Sequence, residues 1–94
     1  PRTIRIADSI RRRCYWQVAN LIRPQSFPQT SADIILVRNV LIYFPVSAQA
    51  KVMRDIIGRL RPGGLLLTGP NESSIARAAG LTTLRPTIHR KDTR

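Results

Sequence analysis

The apolar positions of the chain fall into two unbroken runs separated by a stretch of helical periodicity. DIILV (33–37) and LLLT (65–68) are apolar runs of strand length, the pattern of strands covered on both faces in a parallel sheet. Between them Val52, Ile56 and Leu60 recur every fourth residue, with Met53 and Ile57 beside them. Lys51, Arg54, Asp55 and Arg59 supply a polar face, so the spacing predicts an amphipathic helix over 48–60 with Ser47 as its N-cap. RPGG (61–64) predicts the helix end, because Pro62 cannot continue a helix and the glycines permit left-handed backbone angles. CYWQVA (14–19) is aromatic and β-branched enough for a further strand, closed by Asn20-Leu21. RPQSFPQTS (23–31) reads as a loop, and residues 1–13 as a short extended piece followed by a loop or one helical turn. Asn71 to Ser74 opens a short helix through Ala79, stopped by Gly80, and LRPTIHR (84–90) reads as a last strand with Pro86 suited to an edge. Strand, helix and strand with buried strands argue a βαβ unit, hence an α/β fold in one small domain.

Composition adjusts this picture only slightly. At 43% hydrophobic the 94-residue chain can build a core. Sixteen Lys+Arg face five acids, for a net charge of +11, and one meaning of that excess is an acidic partner: nucleic acid, anionic lipid or an acidic protein surface. All the basic residues except Lys51 and Lys91 are arginines, and they are scattered. Only Arg11-Arg12-Arg13 and His89-Arg90-Lys91 form local clusters, so a solvated surface explains the charge as well, and nucleic acid is not the expected main partner. A single cysteine, Cys14, and a single histidine, His89, exclude an intramolecular disulfide and leave no set of ligands for zinc. Cys14, in an apolar run, is expected as a small buried hydrophobe. No apolar run approaches the ~20 residues of a membrane span, and no signal peptide is visible, so a cytoplasmic location without membrane insertion is expected. The chain begins at Pro1, which suits a processed product or a fragment.

Familiar catalytic signatures are absent. The sequence has no G-x-G-x-x-G, no phosphate-cradling G-x-x-x-x-G-K-[ST] and no G-x-S-x-G elbow. What remains is a set of polar strand ends. RNVLIYF (38–44) places an arginine and an asparagine directly after DIILV, then resumes with apolar and aromatic residues. Asn20 follows CYWQVA, and Gly69 to Glu72 follow LLLT. In open α/β sheets ligands bind beyond the carboxyl ends of the strands, so parallel strands would align these positions along one rim. An asparagine offers donors and an acceptor, suiting an adenine edge or an amino-acid head group, and Arg38 offers a fork for a carboxylate. Asn20 and Asn39 are equally suited to capping turns.

The segments DIILVRNVLIYF and LRPGGLLLTG, with a helix between them, resemble the C-terminal half of a class I S-adenosylmethionine-dependent methyltransferase. RNVLIYF narrows the resemblance to the CheR-type chemotaxis receptor methyltransferases, which are protein-glutamate O-methyltransferases. WQVANL (16–21), GPNES (69–73) and PTIHRK (86–91) are similar to further segments of that family, in the same order. The chain departs from the pattern at Ala32, at Val37 and at Pro70-Asn71. The resemblance implies the C-terminal half of a Rossmann-like sheet, with residues 1–94 forming part of a catalytic domain. Its cofactor would be S-adenosylmethionine and its partner a methyl-accepting chemotaxis receptor or a related signalling protein. It further implies that Asn20 and Leu21 contact the adenosine region, that Arg38 and Asn39 lie at the methionine end, and that Tyr43 lies near the transferred methyl group. Glu72 matches an acidic position of the family. Tyr43 and Phe44 are also candidates for core packing.

The family's glycine turn and ribose-binding acid belong to an upstream half, so this chain alone is expected to bind cofactor weakly and not to catalyse. The alternative from another class is a non-catalytic basic module that binds an acidic partner through Arg11–Arg13 and the HRK tail.

Overall fold

The parallel pair that the two apolar runs predict is the centre of the structure. In the computed structural model, which describes residues 7–14, 17–27 and 31–92, β1 (Ala32–Val37) runs parallel to β2 (Leu60–Thr68). Helix α2 (Val46–Ile57) joins them. Two short helices, α1 (Asp8–Arg11) and α3 (Ser73–Ala78), and an antiparallel hairpin of β3 (Thr82–Arg85) and β4 (Ile88–Arg90) complete the elements. Strand order is β1-β2-β4-β3, with β4 antiparallel to β2. The result is a mixed α/β sheet. Among the described residues no helix is long and apolar enough to cross a membrane.

Helix periodicity locates the core. Val52, Met53 and Ile56 of α2 are buried against Val37 of β1, Leu60 and Leu66 of β2, and Leu41, Ala76 and Leu81. The helix itself begins two residues before the expected start. Pro45 is its N-cap and makes no side-chain cap, and Ser47 lies inside the first turn. Gln49 ties that turn down, donating from Nε2 to the carbonyls of Leu41 (2.9 Å) and Phe44 (3.1 Å).

The other end of α2 also differs from expectation. It stops at Ile57, and RPGG lies within β2 instead of terminating the helix. The carbonyls of Ile57, at the helix end, and Leu60, at the start of β2, accept from the Lys91 ammonium at 2.9 and 2.8 Å, and the first of these satisfies a group that a helix C-terminus leaves open. RPGG instead absorbs a register shift. Ala32 pairs with Leu60 but Ile34 pairs with Leu65, so β2 carries extra residues opposite β1. A β-carbon on Gly64 would stand 2.7 Å from Leu60 Cδ1 and 2.8 Å from the carbonyl oxygens of Arg61 and Asp33.

Four further expectations are corrected. LRPTIHR is a hairpin and not one strand, because Pro86, which has no N–H to give a ladder, falls at the turn between β3 and β4. Gln17 to Ala19 are not in a strand, and Tyr15 and Trp16 lie outside the described residues, as do residues 1–6. Cys14 is half-buried, with its thiol 3.4 Å from the Ile10 carbonyl. Finally, β1 is not covered on both faces. Ile35 and Val37 turn towards the core, whereas Ile34 and Leu36 are 55% and 64% exposed, and the strand sits at the edge of the sheet.

Gly64→Ala is expected to destabilise the fold by several kcal/mol, since backbone oxygens on both strands must give way. Gly58→Ala, whose β-carbon would approach only carbonyl oxygens of Asp55 (3.3 Å) and Arg54 (3.6 Å), should cost far less. Urea unfolding of the two variants checks the difference.

Candidate functional site

The ends of β1 and β2 are brought together by one carboxylate. Glu72 is fully buried. Its Oε1 accepts from the backbone N–H of Asn39 (3.1 Å) and Gly69 (3.0 Å), and its Oε2 from Val40 (2.8 Å) and Leu41 (3.2 Å). Three consecutive amides can converge on one side chain only if the chain turns sharply after β1. Asn39 makes that turn at φ 56°, a left-handed conformation that asparagine tolerates better than most residues. Burial pushes the Glu72 carboxyl pKa up, but the four amide donors outweigh it and hold the pKa below its ordinary value.

Gly69 permits the close approach. A β-carbon there would lie 2.7 Å from Asn39 Oδ1 and 2.8 Å from Glu72 Oε1. Arg38 crosses to the neighbouring strand end and donates from Nη1 to the Thr68 carbonyl at 3.1 Å. The two polar segments marked in the sequence, Arg38-Asn39 and Gly69 to Glu72, therefore form one rim. Arg38 and Asn39 are solvent-exposed there.

The remaining expected site residues are distributed less simply. Leu21 shares an open, mainly apolar groove of about 360 Å³ with Phe27, Ile35, Leu36, Val37 and Ile56, running along β1. Asn20 organises its own loop: its Oδ1 accepts from the Ile22 N–H (3.0 Å), and its N–H donates to Ser26 Oγ (2.9 Å). It does not end a strand, because Gln17 to Ala19 form none. Tyr43 is 81% exposed on the 3-10 turn Leu41–Tyr43, while Phe44 packs against the core.

Sequence reasoning missed the buried cluster under the rim. His89, grouped with a basic tail on sequence, is wholly buried. Its Nδ1 lies 3.0 Å from Thr83 Oγ1, and its Nε2 lies 3.3 Å from Thr68 Oγ1 and 3.4 Å from Ser73 Oγ. Burial, and secondarily the charge of Arg77, lowers its pKa. Lys91 is committed to the end of α2, so only Arg90 of the HRK segment is exposed. The basic-module reading loses most of one of its two contact clusters. No local pattern marks a buried histidine three residues beyond a proline; only the hairpin turns His89 inward beneath Thr68.

The rim and the groove offer groups suited to holding a small ligand. Leu21 and the groove offer an apolar wall for a flat base, Asn39 an amide, and Arg38 a guanidinium for a carboxylate. Among the described residues none of the five carboxylates lies at the Arg38-Asn39 rim except Glu72, whose oxygens are taken up by backbone amides. Asp8 pairs with Arg11, Asp33 with Arg61 and Asp55 with Lys51, Asp92 accepts from Thr82, and Glu72 is enclosed. Those are all five acids.

The family model for the CheR methyltransferase, SAM binding domain, matches residues 2–85. Chemotaxis protein methyltransferase 1 of Vibrio cholerae is 37% identical over 70 residues, covering 74% of this chain and 25% of the relative. Chemotaxis protein methyltransferase of Vibrio anguillarum is likewise 37% identical over 70 residues, with the same coverage. The probable biofilm formation methyltransferase WspC of Pseudomonas aeruginosa is 31% identical over 77 residues, covering 81% of this chain and 18% of the relative. The chain thus spans about a quarter or less of the length of these relatives.

Two outcomes follow for stability. Glu72→Gln keeps the shape but replaces an acceptor oxygen with a donor among four N–H groups, and should cost about 3 kcal/mol in urea unfolding. Acid should weaken the fold in two windows, since both native pKa values are depressed. The His89 contribution is complete above its ordinary value of 6.5 and is lost as pH falls through its lower native value. That of Glu72 is complete above 4.5 and is lost as pH falls through its own. Unfolding midpoints measured against pH check both windows, and Glu72→Gln should remove the lower one.

Proposed function

The chain belongs to the CheR methyltransferase family, and from that premise we propose that it forms one wall of the cofactor cleft in a protein-glutamate O-methyltransferase. The acceptor in this reading is a glutamate side chain of a chemotaxis receptor or a related signalling protein. Residues 1–94 act as the C-terminal part of the catalytic domain. The observation that supports the reading most is the convergence of Arg38-Asn39 and Gly69–Glu72 at the carboxyl ends of two adjacent parallel strands. The names of the relatives support it too: several are chemotaxis methyltransferases and two are probable biofilm formation methyltransferases.

When bound, S-adenosylmethionine supplies an electrophilic methyl group on a sulfonium centre. The residues of this chain have the task of positioning. A glutamate carboxylate is already ionised at neutral pH, with a reference pKa of about 4.3, so the acceptor needs no strong general base. That agrees with a rim in which the single histidine is buried and hydrogen-bonded elsewhere. Arg38, with donors left after its bond to Thr68, orients a carboxylate at the rim. Asn39 and Leu21 hold the cofactor, one by its amide and one by apolar contact, and Asn20 sets the loop that carries Leu21. Tyr43, exposed beyond the turn, borders the passage of the methyl group. In-line alignment and exclusion of water then lower the barrier.

In this reading the glycine turn and the ribose-binding acid that the family resemblance implies come from outside residues 1–94, so the 94-residue polypeptide alone does not catalyse. Calorimetric titration with S-adenosylhomocysteine tests this. The isolated chain, shown to be folded, should give no binding in the micromolar range. The whole protein should bind and lose about tenfold in affinity on Asn39→Gly, which removes the amide without straining the turn. Micromolar binding or methyl transfer by the isolated chain overturns the reading.

A further inference from the structure

The loop from Thr68 to Ser73 is gripped from two sides. On one side it holds the rim: the Thr68 carbonyl accepts from Arg38, and Glu72 gathers the amides of residues 39–41. On the other side it meets the β3–β4 hairpin. The Thr68 N–H donates to the Thr87 carbonyl at 2.9 Å, Ser73 Oγ donates to the Pro86 carbonyl, and both hydroxyls lie within reach of His89 Nε2. The imidazole is completely enclosed.

The hydroxyls around the ring suit the Nε2–H tautomer. A carbonyl only accepts, so the Ser73 hydroxyl proton is committed to Pro86, and Ser73 Oγ can only accept from the ring. In the Nε2–H tautomer the ring shares its proton between Ser73 and Thr68. Nδ1 is left as an acceptor for the Thr83 hydroxyl at 3.0 Å. A neutral Nε2–H ring then has both nitrogens satisfied, as a buried polar group requires. Among charged groups near the ring, Arg77 of α3 faces it and opposes its protonation. Glu72, next to Ser73, spends its charge on the rim amides.

We propose that His89 is a positioning residue of the cleft: by fixing Thr68 and Ser73 it sets the Thr68 carbonyl that holds Arg38, and so couples the C-terminal hairpin to the cofactor rim. It touches neither cofactor nor substrate. The inference rests on the placement of Arg38 at the rim, and its test separates the two claims.

The test is a double-mutant cycle on the whole protein, read by calorimetric titration of S-adenosylhomocysteine, with thermal melts confirming that each variant is folded. His89→Phe keeps the bulk and removes both nitrogens. It is expected to weaken binding about fivefold to tenfold in the wild-type background and less than twofold when combined with Arg38→Ala, because its effect passes through Arg38. Thr68→Val, which deletes only the hydroxyl, should act in the same direction and show the same loss of effect, and it carries the cycle if His89→Phe does not fold. Nitrogen NMR of the ring should report the neutral Nε2–H tautomer. Equal effects of His89→Phe or Thr68→Val with and without Arg38 would overturn the coupling. Arg38→Ala with unchanged affinity would overturn the placement of Arg38 at the rim, and the coupling with it.

Discussion

The structure depends on one buried carboxylate. Glu72 comes from the loop after β2, yet three of its four hydrogen bonds go to the segment after β1. Without it, the N–H groups of Asn39, Val40 and Leu41 would point into a buried region with no acceptor, and the sharp turn at Asn39 would have nothing to hold it. A charged group is suited to this task because a single carboxylate can accept four bonds, and bonds to an ionised acceptor are stronger than neutral ones. The arrangement also explains why Gly69 and Asn39 stand where they do. One permits the approach of the two strand ends, and the other adopts the backbone angle that the convergence demands.

How much of this was legible in the sequence depended on the kind of signal. Hydrophobic periodicity identified β1, α2 and β2, because burial on a helix face or in a strand leaves a repeat in the chain. It was misleading where a tertiary contact replaced a local one. RPGG has the composition of a helix stop, but here it is the bulge of a strand whose helix is ended by Lys91, more than 30 residues away. DIILV reads as a strand covered on both faces, yet Ile34 and Leu36 are open, because a run of aliphatics does not reveal which neighbours are present.

The site was legible by residue type more than by role. Arg38 and Asn39 were visible as polar groups ending an apolar run, and the structure places them at the predicted rim. Glu72 was visible through family resemblance; its work as an internal organiser was not, since nothing local indicates that a glutamate will be enclosed by backbone amides. His89 was read with its basic neighbours because charge patterning cannot see which side of a hairpin faces inward. Asn20 shows the opposite case. Its turn-forming tendency, plain from residue type, is what the structure displays.

The clamp of Lys91 on α2 has a consequence for the order in which the chain can mature. β1, α2 and β2 precede β4 in the chain, so the free edge of β2 and the carbonyls of Ile57 and Leu60 find their partners only once β4 and Lys91 have been synthesised. The contacts that close the sheet edge and cover the Ile57 and Leu60 carbonyls thus come from residues synthesised after the whole βαβ unit, Lys91 lying 23 residues beyond Thr68.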